Sequence, residues 1–162
     1  MNAIHYTPIG IIHTPFKSAE GTPIQPKASN NAKATIEIFP SYVEGLKDLE
    51  GFSHLILLFH LHKVKHRNLT PTPYMDTVSR GVFATRAPAR PNPIGFSIVE
   101  LQKVEGNKLH IQQADMLDGT PLLDIKPFVP GFEPSGTVRI GWLADKIEQL
   151  NQVRDDGRFT KK

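Results

Sequence analysis

Cysteine is absent from the 162 residues of this sequence. Its absence excludes a disulfide framework and any thiolate metal site. Apolar runs near 18 residues are missing too, and no charged-then-apolar leader opens the chain, so we expect a cytoplasmic protein without a membrane span. The sequence also lacks a glycine-rich phosphate loop, a nucleophile elbow and a dinucleotide fingerprint. The classical nucleotide-binding α/β folds are therefore not expected.

Proline and glycine are abundant by contrast, with 14 and 12 residues. They separate short segments that we predict to be strands: 4–14, 34–39, 54–63, 82–85, 97–104, 108–114 and 122–126. Helical patterns are confined to 42–49 and 142–153. Because strands and helices do not alternate regularly, we predict a mainly β fold, either an antiparallel sheet or a barrel, with a few short peripheral helices. Residues 1–140 would form the barrel domain, and 141–162 a helix and a frayed polar tail of the same compact unit.

The segment 81–97, GVFATRAPARPNPIGFS, combines three prolines with two arginines. Proline fixes φ and donates no hydrogen bond, so Pro88, Pro91 and Pro93 exclude a helix or a central strand there. A stiff loop between two strands would hold its polar side chains in place before a ligand binds. These side chains are Arg86, Arg90 and Asn92. The alternative is an ordinary sheet connection whose arginines are merely solvated.

The most apolar run, HLILLFHLHK at 54–63, is typical of a buried strand. A two-residue period divides its side chains between two faces. One face carries His54, Ile56, Leu58, His60 and His62, and the other Leu55, Leu57, Phe59 and Leu61. The spacing of His60, His62 and His66 could suit a metal ion, but no further strong ligand is nearby. Histidines on a strand face are more often core or cleft residues, so we predict no metal site.

Basic residues follow this run at 63–67. If that loop and the arginines of 81–97 lay at the same end of the barrel, they would form one cationic surface able to neutralise phosphates. Scattered, solvated charge is the alternative. Among the acidic residues, Asp118 precedes Gly119 and is typical of a tight turn. Asp115 instead ends a predicted strand, where a carboxylate could receive hydrogen bonds from an adenine amino group.

Four motifs resemble the TrmO (TsaA-like) family: IGIIHTPF at 9–16, GFSHL at 51–55, GVFATR-x3-RPNPIG-x-S at 81–97, and D-x-x-DGTP-x-x-DIKPF at 115–128. They cover roughly the first 130 residues in the order of the family. The resemblance implies an S-adenosylmethionine-dependent methyltransferase that acts on N6-threonylcarbamoyladenosine beside the anticodon of tRNA. It also implies a compact antiparallel β-barrel, unrelated to the Rossmann-like methyltransferases, that works as a homodimer with the cofactor near the interface.

The resemblance further implies the site residues. Cofactor contacts would lie at nine positions: Gln25, Pro26, Lys27, Leu61, His62, Arg86, Ala114, Asp115 and Leu117. Arg90 and Asn92 would contact the modified base or the RNA backbone, and Asp118 and His62 are candidates for a catalytic base. Asp115 is a third candidate whose competing role is recognition of the cofactor adenine. Two other classes stay open from the residues alone: a non-catalytic RNA- or ligand-binding barrel, and a histidine-metal hydrolase.

Overall fold

Six antiparallel strands close into a barrel in the computed structural model, which describes residues 3–134 and 136–160. The strands are β1 (Gly10–His13), β2 (Ala34–Ile38), β3 (His54–His60), β4 (Ile94–Glu105), β5 (Lys108–Gln112) and β6 (Thr120–Pro127). Their order around the barrel is β1-β2-β5-β4-β3-β6. The predicted mainly β, antiparallel barrel is confirmed. Closure satisfies the hydrogen-bonding groups that an open sheet would expose at its edges.

Alternate side chains of the strands fill the barrel interior. In β3, Leu55, Leu57 and Phe59 are buried while the residues between them are only partly so, as the two-residue period predicts. The other strands add aliphatic side chains to the same core: Ile12, Ile36, Ile38, Val99, Leu109, Ile111 and Leu122. Full burial of one such side chain contributes about 1.5–3 kcal/mol, so this core dominates the stability of the barrel.

The long strand β4 connects the proline-rich segment to the sheet. It begins at Ile94, inside that segment, and its first half pairs with β3. Its second half pairs with β5 and ends in the predicted hairpin turn, where Gly106 has a φ of 59°. The residues of the proline-rich segment are therefore held directly against the barrel end.

Both predicted helices are wrong in type. The segment 42–49 is covered by 3-10 helices at Pro40–Leu46 and Leu49–Gly51, and Asp48 between them has a φ of 65°, which interrupts a continuous helix. In place of a helix at 142–153 there are two 3-10 turns, Gly141–Leu143 and Ile147–Gln149. A segment of this length has little helical stability of its own, and packing against other loops decides its backbone.

The predicted strand at 82–85 is also wrong, because Val82–Ala84 is a 3-10 helix. Arg90 donates hydrogen bonds to the carbonyl oxygens of Val82 and Thr85. In a strand, these carbonyls would accept hydrogen bonds from a neighbouring strand. The first strand is shorter than predicted, and β3 ends at His60 rather than at residue 63.

The predicted frayed tail is wrong for residues 154–160. Asp155 exchanges two backbone hydrogen bonds with the loop at Gly21 and Thr22, of 2.7 and 2.9 Å. Phe159 is only 5% exposed. Lys161 and Lys162 lie outside the described residues. Across the described chain, no helix has the length and apolar character needed to cross a membrane.

Candidate functional site

A cleft of about 970 Å³ opens at the barrel end where β3 finishes and β4 begins. Its walls come from distant parts of the chain, within the ranges 19–25, 59–64, 73–75, 83–97, 115–120 and 142–160. Most of the lining is apolar, with a few polar side chains among it. This combination is typical of a small-molecule site.

A half-buried carboxylate lies in the cleft wall. Asp115 follows β5, and Ser97 of β4 donates a hydrogen bond from its Oγ to Asp115 Oδ1 at 2.6 Å. Burial raises the pKa of Asp115 to about 7, although the Ser97 hydrogen bond and the positive charge of Arg86 oppose this rise. Ionising an under-compensated carboxylate in such a place is costly, and groups of this kind are concentrated at binding sites.

Arg86 connects two loops across the cleft. Its NH1 group donates a hydrogen bond of 3.2 Å to Gln25 Oε1, on a loop 61 residues earlier in the chain. The guanidinium also lies 5.6 Å from the ring centre of Phe96. Arg86 is exposed, so the rest of its guanidinium can reach a ligand. The structure thus brings together Gln25, Arg86 and Asp115, three of the predicted cofactor contacts, from three separate segments of the chain.

Arg90 stabilises the proline-rich segment from within. Its NH1 group lies 3.1, 2.8 and 3.3 Å from the carbonyl oxygens of Val82, Thr85 and Ala87. The segment is therefore fixed both by its prolines and by an arginine that satisfies its backbone acceptors. Arg90 also lines the cleft, so it holds the loop on which Arg86 lies while facing the same space.

His62 lies in the wall just beyond β3. Burial lowers the pKa of His62, and the nearby charges of Lys63 and His60 lower it further. A neutral imidazole at pH 7 can accept a proton. Its Nδ1 is 3.4 Å from Thr120 Oγ1. Leu61 and Leu117 add apolar surface to the same cleft.

Five predicted residues lie outside the lining of this cleft: Pro26, Lys27, Asn92, Ala114 and Asp118. Asp118 lines a separate groove of about 640 Å³ together with His13 and Lys17. Lys17 Nζ lies 2.7 Å from its Oδ2, and this contact, with a hydrogen bond from the backbone of Thr14, lowers the pKa of Asp118. A carboxylate held ionised in this way is a weak base, and it is separated from the cleft.

The histidines of the described chain do not form a metal site. Within residues 3–134 and 136–160, no group of three or more His, Asp or Glu side chains is placed to hold a metal ion.

The C-terminal wall of the cleft was not predicted as part of a site. Trp142 donates a 2.8 Å hydrogen bond from Nε1 to the carbonyl of Ala84, and Asp155 and Phe159 also line the cleft. The sequence did carry one sign of this wall, since Leu143, Ile147 and Leu150 have the spacing of a single apolar face. All three residues line the cleft, although the backbone is not an α-helix.

Comparison with known proteins gives consistent matches. The sequence profile described as the tRNA-methyltransferase O N-terminal domain matches residues 11–133. A probable S-adenosyl-L-methionine-binding protein of Pyrococcus abyssi is 56% identical over 156 residues, which are 96% of this chain and 85% of that protein. The human tRNA (adenine(37)-N6)-methyltransferase is 37% identical over 152 residues, 90% of this chain and 34% of that protein.

The same fold is found in a crystal structure of TrmO from Pseudomonas aeruginosa. The two structures superpose with a TM-score of 0.72 at 39% sequence identity. The superposed part is 87% of this chain and 63% of the TrmO chain. This chain therefore spans less than two thirds of the crystallised protein and about a third of the human one.

Proposed function

The chain belongs to the family of the tRNA-methyltransferase O N-terminal domain, and on this premise we propose that it is an S-adenosylmethionine-dependent methyltransferase acting on N6 of an adenine in tRNA. The finer part of the proposal is that the acceptor is N6-threonylcarbamoyladenosine next to the anticodon. The observation that carries the proposal is the half-buried Asp115 carboxylate, held by Ser97 in the wall of a cleft large enough for a cofactor.

The residues of the cleft fit this cofactor. A volume of about 970 Å³ is at the upper end of small-molecule sites. The rings of Phe83 and Phe96 are 80% and 44% exposed and offer flat surfaces to a purine. The Asp115 carboxylate can accept hydrogen bonds from an adenine amino group or a ribose hydroxyl, or it can face a positive charge. When bound, the cofactor supplies a methyl group activated by a sulfonium.

The chain itself must orient the acceptor and move one proton. In threonylcarbamoyladenosine, N6 is a urea-type nitrogen whose lone pair is delocalised, so loss of its proton assists attack. The neutral imidazole of His62 is suited to accept that proton at Nε2, because Nδ1 faces Thr120. Arg86 is suited to pair with the threonyl carboxylate, which would favour the modified nucleoside over adenosine. The prediction that Arg90 contacts RNA stays a prediction.

The charge around the cleft supports an RNA substrate. Residues 51–99 contain six lysines and arginines and a single acidic residue, Asp76. Asp76 has a side chain only 2% exposed and is paired with Arg80 and Lys146. The exposed cations of this stretch are Lys63, Lys65, Arg67 and Arg86. A stretch with several exposed cations and no exposed acid can contact a phosphate backbone.

The loop 61–68 and the proline-rich segment 81–97, which carry these cations, lie at the same end of the barrel. The backbone N–H of Leu61 donates to Pro93 O at 2.8 Å, and that of Asn68 donates to Ala89 O at 3.0 Å. The loop 61–68 thus runs along the proline-rich segment, next to the cleft. This satisfies the geometric condition on which the predicted cationic surface depended.

Calorimetry with S-adenosylmethionine tests the cofactor part of the proposal. We expect the native protein to bind, and Asp115→Asn to bind at least tenfold more weakly because the carboxylate is lost. Asp124→Asn is the matched control, since Asp124 is a partly exposed aspartate of β6 paired with Lys126. Absence of binding heat with the native protein would overturn the proposal and favour a non-catalytic barrel.

Nucleoside mass spectrometry tests the acceptor. The protein and cofactor are incubated with tRNA that carries threonylcarbamoyladenosine and with the same tRNA lacking it. We expect an N6-methylated product only from the first. Equal methylation of both tRNAs would contradict the finer proposal and leave the general one standing.

A further inference from the structure

Residues 141–160, here called the C-terminal segment, cover one side of the cleft. Residues from both halves of the segment line it, among them Trp142, Leu150, Asp155 and Phe159. The segment lies outside residues 11–133, which carry the family match. Resting on the proposed function, we propose that the C-terminal segment forms one wall of the cofactor site and contributes to cofactor binding. Trp142 and Lys146 act in it as positioning residues for the loop that carries Arg86.

A buried carboxylate attaches the segment to the loop before the proline-rich segment. Asp76, with a 2% exposed side chain, accepts hydrogen bonds from Arg80 Nε at 2.9 Å and from Lys146 Nζ at 2.5 Å. The backbone N–H of Thr77 donates to it as well. These donors, Lys146 first, hold the pKa of Asp76 well below its usual range. Lys146 is thus fixed to a residue 70 positions earlier in the chain.

Trp142 connects the C-terminal segment to the loop that carries Arg86. The cations of Arg80 and Lys146, which both pair with Asp76, lie 5.5 and 5.7 Å from its ring centre. Its Nε1 then donates to the carbonyl of Ala84, two residues before Arg86. The position of Arg86 therefore depends on a tryptophan from the opposite end of the chain.

The far end of the C-terminal segment is attached to the loop that carries Gln25, the side chain to which Arg86 donates. Asp155 exchanges two backbone hydrogen bonds with Gly21 and Thr22, close to the Gln25 side chain that accepts from Arg86. Phe159 packs against Ala87 and Ala89, and its ring meets Tyr74 edge-on at 5.1 Å. One segment consequently holds both loops whose side chains meet across the cleft.

The barrel core does not include this segment. The core cluster of the barrel lies within residues 12–122, whereas Phe159 belongs to a second, small cluster with Ala87 and Ala89. Loosening the segment should therefore alter the cleft more than it alters the stability of the barrel. A positioning role predicts this separation, whereas a purely structural role predicts that binding and stability fall together.

Two substitutions test this role. Trp142→Phe keeps an aromatic ring but removes the donor to Ala84, and Lys146→Met keeps the length of the side chain but removes its charge. We expect each to weaken S-adenosylmethionine binding about tenfold by calorimetry, with a melting temperature within a few degrees of the native value. Lys126→Met is the matched control, because Lys126 pairs with Asp124 on β6 and does not line the cleft.

Fluorescence and hydrogen exchange give readouts independent of catalysis. Trp142 is the only tryptophan of the chain, so its emission reports the segment directly and should shift to the red in Lys146→Met. In the native protein, cofactor should slow amide exchange in 21–25 and 141–160. Unchanged affinity in both variants, or no added protection of 141–160, would overturn the inference. A native protein that binds no cofactor would instead overturn the proposed function.

Discussion

Asp115 is the residue at which the stability of the protein and its proposed chemistry conflict. A carboxylate in an apolar wall raises the free energy of the folded state whenever it is ionised. The Ser97 hydroxyl, the backbone of Asp115 itself and the charge of Arg86 offset only part of this cost, so the pKa stays raised. Retaining such a group is consistent with a ligand that supplies the missing hydrogen bonds.

The pH dependence of stability follows from this pKa. The folded protein keeps the Asp115 proton up to about pH 7, whereas an unfolded aspartate loses it near its ordinary pKa of 3.8. Between these values the folded state binds more protons, so stability falls as pH rises. In the free protein Asp115→Asn should therefore be stabilising at pH 8, by at most about 4 kcal/mol, and by much less at pH 5. Thermal unfolding at both pH values measures this, and an equal effect at the two would contradict it.

Asp115 stood out in the sequence because it ends a predicted strand, and Asp118 because it belongs to the same motif. Their different surroundings could not be predicted, since Asp118 meets Lys17 and Thr14 whereas Asp115 meets Ser97. Each of these partners is distant in the chain. Local spacing does not determine which of two nearby carboxylates lines the cleft.

At the scale of elements, the start of β4 depends on a close contact between a glycine and a phenylalanine. Gly95 lies opposite Phe59 of β3 in the register of the two strands. A Cβ at Gly95 would lie 2.5 and 2.6 Å from Cζ and Cδ2 of the Phe59 ring, and closer still to Cε2. Phe59 belongs to the core and also lines the cleft, so the fit of these two residues shapes both.

We predict that Gly95→Ala destabilises the protein by about 1–3 kcal/mol, because the ring of Phe59 must move within a packed core. Cofactor affinity should fall as well, since the ring lines the cleft. Urea unfolding and calorimetry measure the two effects. Gly45→Ala is the matched control: a Cβ there would have no atom within 4 Å, and the φ of Gly45 is not positive, so stability should be unchanged or slightly higher. Equal stability of the two variants would contradict the prediction.

The elements that sequence patterns predicted well are those whose periodicity comes from the barrel core. The alternation in β3 and the hairpin of β4 and β5 are examples. The segments 42–49, 82–85 and 142–153 were assigned wrongly because their backbones are set by contacts rather than by local preference. The carbonyl oxygens of Val82 and Thr85, for instance, are taken by Arg90.

For the whole molecule, the net charge of +3 includes a local excess of cations in the stretch 51–99. Exposed cations of the stretch 51–99 lie beside the cleft, and the single acid of that stretch is buried. A local excess of exposed cations favours contact with a polyanion.

We predict that Lys65→Ala combined with Arg67→Ala weakens tRNA binding and makes it less sensitive to salt. Two lost phosphate contacts should lower the slope of log K against log salt by about 1.4–1.8. Filter binding over a range of salt concentrations measures the slope, and cofactor binding should be unaffected. Lys103→Ala, at the far end of β4 and paired with Glu105, is the control. A slope equal to that of the native protein would show that this loop does not contact RNA.

The sequence by itself determined the antiparallel β architecture and the stiff proline-rich loop, and its motifs indicated five polar residues of the cleft: Gln25, His62, Arg86, Arg90 and Asp115. Strand periodicity, proline geometry and short motifs are local properties, and local properties can be read from neighbouring residues. Only the tertiary structure decided that Asp118 lies outside the cleft and that Trp142 and Asp155 belong to it. Burial and charge pairing join residues such as Asp76 and Lys146, 70 positions apart, and a linear pattern carries no record of such pairs.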